Sequence, residues 1–542
     1  MINEYTPTPW PYFFVRLLFK FVLKIFYGTI VIENIDLIPG NGEPCIICAN
    51  HSNSLTDAVL LVGTIPSKKR NFIRLTAKAT QFGRKTFTSW LIEAAGTVPL
   101  KRRKDTPGVE VDNSEALEGI KAVLENGDAV CLFPEGMSRY HPTLAPLKTG
   151  VARLISDVLT RKKDDPSFKV NLLNCSITYM HRQHFRSDIL ITFHPPMVFT
   201  PQGNPELIAP TDFSNIRALT SRMYKQISSG TYDSPNWDIV RCAKLAARVY
   251  APLGTRMALG DHVRVCRAFV EAFKWAEAEG RIEGMSVTTS GSEEEDEDLI
   301  KQRCARVNAL RKELGEYQDQ LAQLGIKDDR VRRPICRPLI IWRICVRLIM
   351  TFGLTVISLP GLILWFPVFF VTQRAAQRCT KSGPAWDTWD EIAQAKLVSG
   401  LAAGVVVWLI CVIITFPFAP ISSVGVPILM WFTLRWLEDA VAASRALRAL
   451  VRLLLLGKSR LSELYGRRQV LHEKLMELAV EYLNLPADPE TFFVKIGGKE
   501  KGRVRNRWEE KVKYFSVKRR RKRDWNETFK LYDTVEYPDD NF

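Results

Sequence analysis

The sequence lacks the marks of a secreted, disulfide-stapled chain. Its eleven cysteines are odd in number and scattered, which excludes a regular disulfide framework and fits a reducing, cytosol-facing setting. No cleavable signal peptide is expected at the N-terminus, and no retention or peroxisomal tripeptide at the closing Asp-Asp-Asn-Phe. Metal-ligand spacing is missing too. Cys45 and Cys48 form a CxxC, but they lie in the apolar run Pro44–Ala49, which reads as a strand. Side chains three apart on a strand point to opposite faces, so the pair is read as small buried hydrophobes and no metal site is expected. Acidic residues are in deficit: 58 Asp and Glu stand against 75 Lys and Arg in 542 residues, a formal charge of +17. That balance attracts polyanions, whether nucleic acid, anionic headgroups or phosphorylated substrates, without choosing among them.

Two runs lack charge altogether. Leu348–Thr372 is long enough to span a bilayer. Leu397–Leu434, broken by Pro417, Pro420 and Pro427, suits a transmembrane hairpin or one span plus a re-entrant segment. Arginines from Arg330 to Arg347 precede the first run, and cations from Arg435 to Arg460 follow the second. Both flanks therefore read as cytosolic, with residues 373–396 on the far side of the membrane. The run Lys518–Arg523 is read as a contact for anionic membrane lipids, and no nucleic acid partner is expected. At the other end, Arg16, Lys20 and Lys24 share one side of a predicted helix otherwise covered by Phe13, Phe14, Leu17 and Phe21. That pattern suits a helix lying in the membrane interface, its cations toward the headgroups.

Between these lies an α/β region, with strands predicted at Thr29–Ile32, Pro44–Ala49, Gly96–Leu100, Ala129–Phe133, Val170–Tyr179 and Ile189–Phe193. Amphipathic helical patterns fall near Asp57–Gly63, Arg84–Ala95, Ser114–Glu125 and Lys148–Thr160, the alternation of a sheet covered by helices. The expected organisation is an interfacial helix (1–28), an α/β domain with a helical extension (29–285) and an acidic disordered linker (286–298). A cytosolic helix with a basic flank (299–347), the apolar segments (348–372 and 397–434), and a cytosolic helical region with a basic tail (435–542) follow.

Four elements carry chemistry. Asn50-His51 to Asp57 follows a strand, where an imidazole can take a proton from an alcohol and a carboxylate can orient it. Gly96-Thr-Val-Pro-Leu-Lys101-Arg102 runs from a strand into cations. Phe133-Pro-Glu135-Gly136-Met-Ser138-Arg139 displays a carboxylate, a hydroxyl and a guanidinium suited to phosphate. Lys148 stands at a predicted helix start, where backbone N–H groups favour anions.

In this order the elements resemble the boxes of the glycerolipid acyltransferase family: a His/Asp box, a Gly-x-Ile/Val-Pro-x-x-Arg box and a Phe-Pro-Glu-Gly-x-Ser-Arg box. Further stretches resemble the eukaryotic, fungal-type glycerol-3-phosphate/dihydroxyacetone-phosphate acyltransferases. They are Tyr179–Ser187, Gly230–Asp238, Ala246–Tyr250 and Leu324-Gly-Ile-Lys-Asp-Asp. Two departures stand out: five residues rather than four separate His51 from Asp57, and Asn174 stands where a fourth family motif has proline. No acyl-CoA-binding residue is therefore assigned.

The resemblance implies transfer of an acyl group from acyl-CoA to the sn-1 hydroxyl of glycerol-3-phosphate or dihydroxyacetone phosphate. Acyl-CoA serves as co-substrate, with no other cofactor. His51 and Asp57 are then the catalytic pair. Arg102, Glu135, Gly136, Ser138, Arg139 and Lys148 hold the acceptor and its phosphate. The implied setting is the endoplasmic reticulum membrane, multi-pass, with the site facing the cytosol. Lysophospholipid acylation is the alternative, and a non-enzymatic membrane scaffold the alternative of another class.

Overall fold

The structure, a computed structural model, describes residues 8–85, 87–101, 113–251, 257–282, 294–328, 331 and 337–496. Arg102, residues 286–293 of the acidic stretch and the basic run at 518–523 lie outside the described residues. The described chain divides into two compact units, one formed by residues 8–231 with 375–398, the other by residues 232–374 with 399–496.

A mixed sheet organises the first unit. Its strands are β1 (Thr29–Glu33), β2 (Cys45–Ala49), β3 (Ile73–Arg74), β6 (Ala129–Leu132), β7 (Val170–Tyr179) and β8 (Asp188–Phe193), in the order β1-β8-β7-β2-β6-β3; β9 (Met197–Phe199) also pairs with β7. A separate pair joins β4 (Thr76–Lys78) to β5 (Val98–Leu100). β2 is flanked by β6 and β7, both parallel to it, and every residue of β2 and β7 is buried. Strands covered on both faces read as continuous apolar runs, which is why these were visible in the sequence. The helices are α1 (Trp10–Phe26), α2 (Leu55–Thr64), α3 (Phe87–Ala94), α4 (Ser114–Glu125), α5 (Gly150–Arg161) and α6 (Phe213–Ser228). Ile46, Cys48, Val130 and Leu172 share a core with the apolar faces of α4, α5 and α6. Cys45 and Cys48 are fully buried; burial pushes the Cys45 thiol up to about 11 and Cys48 well above its ordinary value.

Helix α1 differs from its expected arrangement in one respect. Tyr12, Val22, Leu23 and Phe26 are buried, whereas Trp10, Phe13, Phe14, Leu17 and Phe21 are exposed. Arg16, however, does not share an outward cationic edge. Its guanidinium turns inward and donates to the carbonyls of Ile65, Arg70 and Asn71, since unpaired loop carbonyls near a packed helix need a donor. At the other end Arg186 closes α1 by donating to Lys24, Ile25 and Tyr27 carbonyls at 3.0, 3.2 and 2.9 Å, a cation on the negative end of the helix.

The second unit is helical, with α7 (Trp237–Tyr250), α8 (Leu259–Ile282), α9 (Glu294–Leu324), α10 (Arg337–Lys381), α11 (Ile392–Ile414), α12 (Ala419–Leu456), α13 (Lys458–Glu481) and α14 (Pro489–Ile496). The adjoining ends of α10 and α11 belong to the first unit. α7, α8, α9, α13 and α14 enclose one apolar core. Within the expected helical extension, α7 and α8 bury their apolar stripes against α9 and α13 in this core. Glu294–Asp298, expected to be disordered, open α9.

Three helices among the described residues are long and apolar enough to cross a membrane: Arg337–Lys381, Ala385–Ile414 and Phe416–Leu456. The second charge-free run is thus two helices joined at Pro417. α10 meets α12 closely: a side chain at Gly361 would collide with Thr433, and Trp365 Nε1 donates to the Met430 carbonyl at 2.8 Å. Small residues allow apolar helices this approach.

Candidate active site

The register of the sheet assembles the site. Cys48 pairs with Leu132 in parallel strands, so the His51 loop and the Phe133–Arg139 turn leave the same edge side by side. Ligands of open α/β sheets gather at these carboxyl ends. Asn50 holds the neighbouring strand by accepting from Ile177 N at 2.7 Å and donating to Ile177 O at 3.0 Å. That brings the end of β7 to the same edge.

The long spacing from His51 to Asp57 folds into a loop around the Asp57 carboxylate. Asp57 Oδ2 accepts from Ser52 N at 2.9 Å and Asn53 N at 2.8 Å, and lies 2.9 Å from His51 Nδ1. Oδ1 accepts the Tyr179 hydroxyl at 2.5 Å. Within this loop Ser54 has φ 48°, a conformation that costs energy in a non-glycine residue. Asp57 is completely buried, while His51 keeps 18% of its side chain exposed. Burial, and then the Asp57 charge, push the Tyr179 phenol well above its ordinary value, so it serves as a fixed donor. With Nδ1 committed to Asp57, Nε2 is the nitrogen left for chemistry.

The Phe-Pro-Glu-Gly turn supports this pair from beside it. The Phe133 ring stacks on the His51 imidazole at 4.2 Å and 20°. Glu135 Oε1 accepts from His51 N at 2.6 Å, and Oε2 from Ala145 N at 3.1 Å. Both oxygens thus tie loops together, and Glu135 is the tether between the two boxes. Burial raises its pKa, against the lowering effect of those two N–H donors. Gly136 has φ 76° and faces Lys148; a Cβ there would collide with the Lys148 side chain. Gly136 is therefore required twice, by backbone conformation and by the lysine that crosses it. Arg182 supports the turn from outside, donating to the carbonyls of Arg139 and His141 at 3.3 and 3.0 Å.

Of the residues singled out in sequence, His51, Asp57, Glu135, Gly136, Ser138, Arg139 and Lys148 fall on this edge, and Arg102 lies outside the described residues. Gly96 has φ 74°, and a Cβ there would stand 2.6 Å from the Phe72 ring. That box thus needs its glycine for the turn into β5.

The segment between α10 and α11 corrects the expected layout. Residues 373–396 were expected across the membrane from the site, yet residues 375–398 fold into the site's own unit. Tyr140 N donates to the Trp386 carbonyl at 3.1 Å, and Tyr140 meets Trp389 edge-on at 5.5 Å. Gln394 Oε1 accepts from Ser54 Oγ at 2.8 Å and Leu55 N at 3.3 Å, capping α2. Lys396 Nζ donates to Gln183 O at 2.8 Å. Charge counting places segments by flanks; it is blind to an aromatic and polar stretch whose partners lie far away in the sequence. Gln394 was missed as a site residue for the same reason, and Tyr179 and Arg182 because only the fold brings them to Asp57 and Arg139.

The chain matches an acyltransferase family model over residues 29–173 and a model described as the glycerol-3-phosphate acyltransferase 2 C-terminal domain over residues 301–386. It is 26% identical over 278 residues to glycerol-3-phosphate O-acyltransferase 2 of Saccharomyces cerevisiae, covering 51% of this chain and 34% of that protein. Glycerol-3-phosphate O-acyltransferase 1 of the same yeast is 23% identical, covering 54% and 36%. An uncharacterized acyltransferase of Schizosaccharomyces pombe is 24% identical, covering 65% and 51%. The chain thus spans between about a third and a half of the length of these relatives. Among solved structures, the 1-acyl-sn-glycerophosphate acyltransferase of Thermotoga maritima aligns at 19% identity and a TM-score of 0.30, over 40% of this chain and 77% of that one. The chain therefore carries an acyltransferase domain followed by a glycerol-3-phosphate acyltransferase 2 C-terminal domain, and is homologous to the glycerol-3-phosphate O-acyltransferases of yeast.

Proposed function

We propose that the chain transfers a fatty acyl group from acyl-CoA to the sn-1 hydroxyl of glycerol-3-phosphate, and also to dihydroxyacetone phosphate. The observation that carries this reading is the His51–Asp57 pair at 2.9 Å, tied through Glu135 to the turn bearing Ser138 and Arg139. His51 Nε2 takes the proton of the acceptor hydroxyl as its oxygen attacks the thioester carbonyl. The tetrahedral intermediate collapses, the carbon–sulfur bond breaks, and the imidazolium returns its proton to the leaving thiolate. General-base help of this kind contributes about 10²–10⁴-fold. Arg139 and Lys148, with Arg102, neutralise the acceptor phosphate.

The reaction runs at the cytosolic face of the endoplasmic reticulum membrane, where long-chain acyl-CoA and the lysophosphatidic acid product both partition. The exposed aromatic face of α1, with Trp10, Phe13 and Phe14, lies against that surface, and α10, α11 and α12 enter the bilayer. The test is acyl transfer by membranes carrying the wild-type chain or His51→Ala, with labelled palmitoyl-CoA and each of glycerol-3-phosphate, dihydroxyacetone phosphate and lysophosphatidic acid. Transfer to a three-carbon phosphate that His51→Ala abolishes supports the reading. Transfer to lysophosphatidic acid alone moves the acceptor. Activity indifferent to His51 sinks it.

A further inference from the structure

The segment that folds back from the apolar helices carries a carboxylate the mechanism above does not use. Asp390 lies on the turn Trp389–Glu391 and is only 2% exposed. The turn is pinned on both sides to the reacting boxes, by Trp386 and Trp389 to Tyr140 and by Gln394 to Ser54. Burial raises the Asp390 carboxyl above its ordinary value, against the lowering effect of a hydrogen bond from Ser138, next to Arg139, and of the more distant His51 charge. Its Oδ1 is buried and has no hydrogen-bond partner among the described residues. A buried acceptor without a donor is costly, and where a protein keeps one, a functional role, a water or an ion accounts for it.

We infer that Asp390 Oδ1 accepts the hydrogen bond of the acceptor's non-reacting hydroxyl, and thereby sets a preference for glycerol-3-phosphate over dihydroxyacetone phosphate. This rests on the function proposed above and deepens it. The two acceptors differ at one carbon, between the reacting hydroxyl and the phosphate. Glycerol-3-phosphate presents a hydroxyl donor there; dihydroxyacetone phosphate presents a carbonyl oxygen. Asp390 stands on a turn pinned both to Tyr140, which follows Arg139, and to Ser54 in the His51–Asp57 loop. A carboxylate oxygen pairs with the hydroxyl and is left unpaired opposite the carbonyl. A site built to bond a hydroxyl discriminates strongly against a ligand without it.

The test compares full-length wild type, Asp390→Asn and Asp390→Ala in membranes, measuring kcat/KM for both acceptors with palmitoyl-CoA. The wild type is expected to favour glycerol-3-phosphate. Each variant should lose roughly 10- to 100-fold on glycerol-3-phosphate while changing less than about threefold on dihydroxyacetone phosphate, so that the ratio collapses. Equal losses on both acceptors, an unchanged ratio, or a wild type that prefers dihydroxyacetone phosphate overturns the inference and leaves the acyltransferase assignment standing. Failure of both variants to accumulate assigns Asp390 to folding and overturns it too. A wild type that acylates neither three-carbon phosphate overturns inference and assignment together.

Discussion

Asp57 in the sheet unit and Asp328 in the helical unit are both buried carboxylates that accept a tyrosine hydroxyl, from Tyr179 at 2.5 Å and Tyr317 at 2.9 Å. In both, burial raises the phenol above its ordinary value. Their remaining partners differ. Asp328 is clasped by Arg468, Nε to Oδ1 at 2.8 Å and a terminal nitrogen to Oδ2 at 3.1 Å, a permanent charge in a bidentate fork. Asp57 meets backbone N–H groups and an imidazole that remains partly exposed. Burial and saturated hydrogen bonding therefore do not distinguish a carboxylate proposed to support a base from a structural one. The distinction lies in whether one partner can gain and lose a proton while still reaching solvent or substrate.

The largest expected effect tests the working half. His51→Ala should lower kcat by about 10²–10⁴-fold, and adding Asp57→Asn should cost little more, because residues acting as a unit are not additive. Independent, multiplying losses measured in the double variant would break the pairing. Next, Asp328→Asn should destabilise the helical unit by about 3–5 kcal/mol, since it leaves Arg468 buried and unpaired. Thermal inactivation should read that loss, with kcat per folded molecule unchanged; a kcat defect at unchanged stability would contradict the structural role. Smaller again, Tyr179→Phe and Tyr317→Phe should each cost about 1.5–3 kcal/mol of stability, the worth of a bond to a charged group. Only Tyr179→Phe should alter kcat.

The smallest effect concerns Glu135, a buried carboxylate with backbone donors and no bonded cation. Its pKa is raised above 4.5 by burial, so the folded chain binds its proton more tightly than the unfolded chain. Its contribution to stability therefore falls as pH rises from about 4.5 through the raised value. The melting-temperature advantage of wild type over Glu135→Gln should be larger near that lower pH than at neutrality. An advantage that grows with pH would reverse the sign.

Much of this contrast was legible in the sequence, for identifiable reasons. β7 and α4 were read with the boundaries observed, because long apolar runs and an amphipathic twelve-residue pattern carry their own period. β3, β4 and β9 were not, since strands of two or three residues have no period to detect. His51, Asp57 and the Phe-Pro-Glu-Gly turn were found from local chemistry and order. Glu135's tethering role needed the register of β2 against β6, and Tyr179 needed that of β2 against β7. Asp390 and Gln394 were hidden further, because charge counting assigned their segment to the opposite side of a membrane.

That segment also sets an order of events in the making of the protein. The first unit takes most of its residues from the opening part of the chain but is completed by residues 375–398. On a ribosome, the sheet, His51 and Asp57 emerge and pair long before Trp386, Asp390 and Gln394 exist. That segment is flanked by α10 and α11, helices long and apolar enough to cross a membrane, so it reaches the sheet only once α10 has been made. Completion of the site therefore waits on the last-made part of its own unit: until residues 375–398 exist, the chain holds the His51–Asp57 pair without the turn that packs beside it.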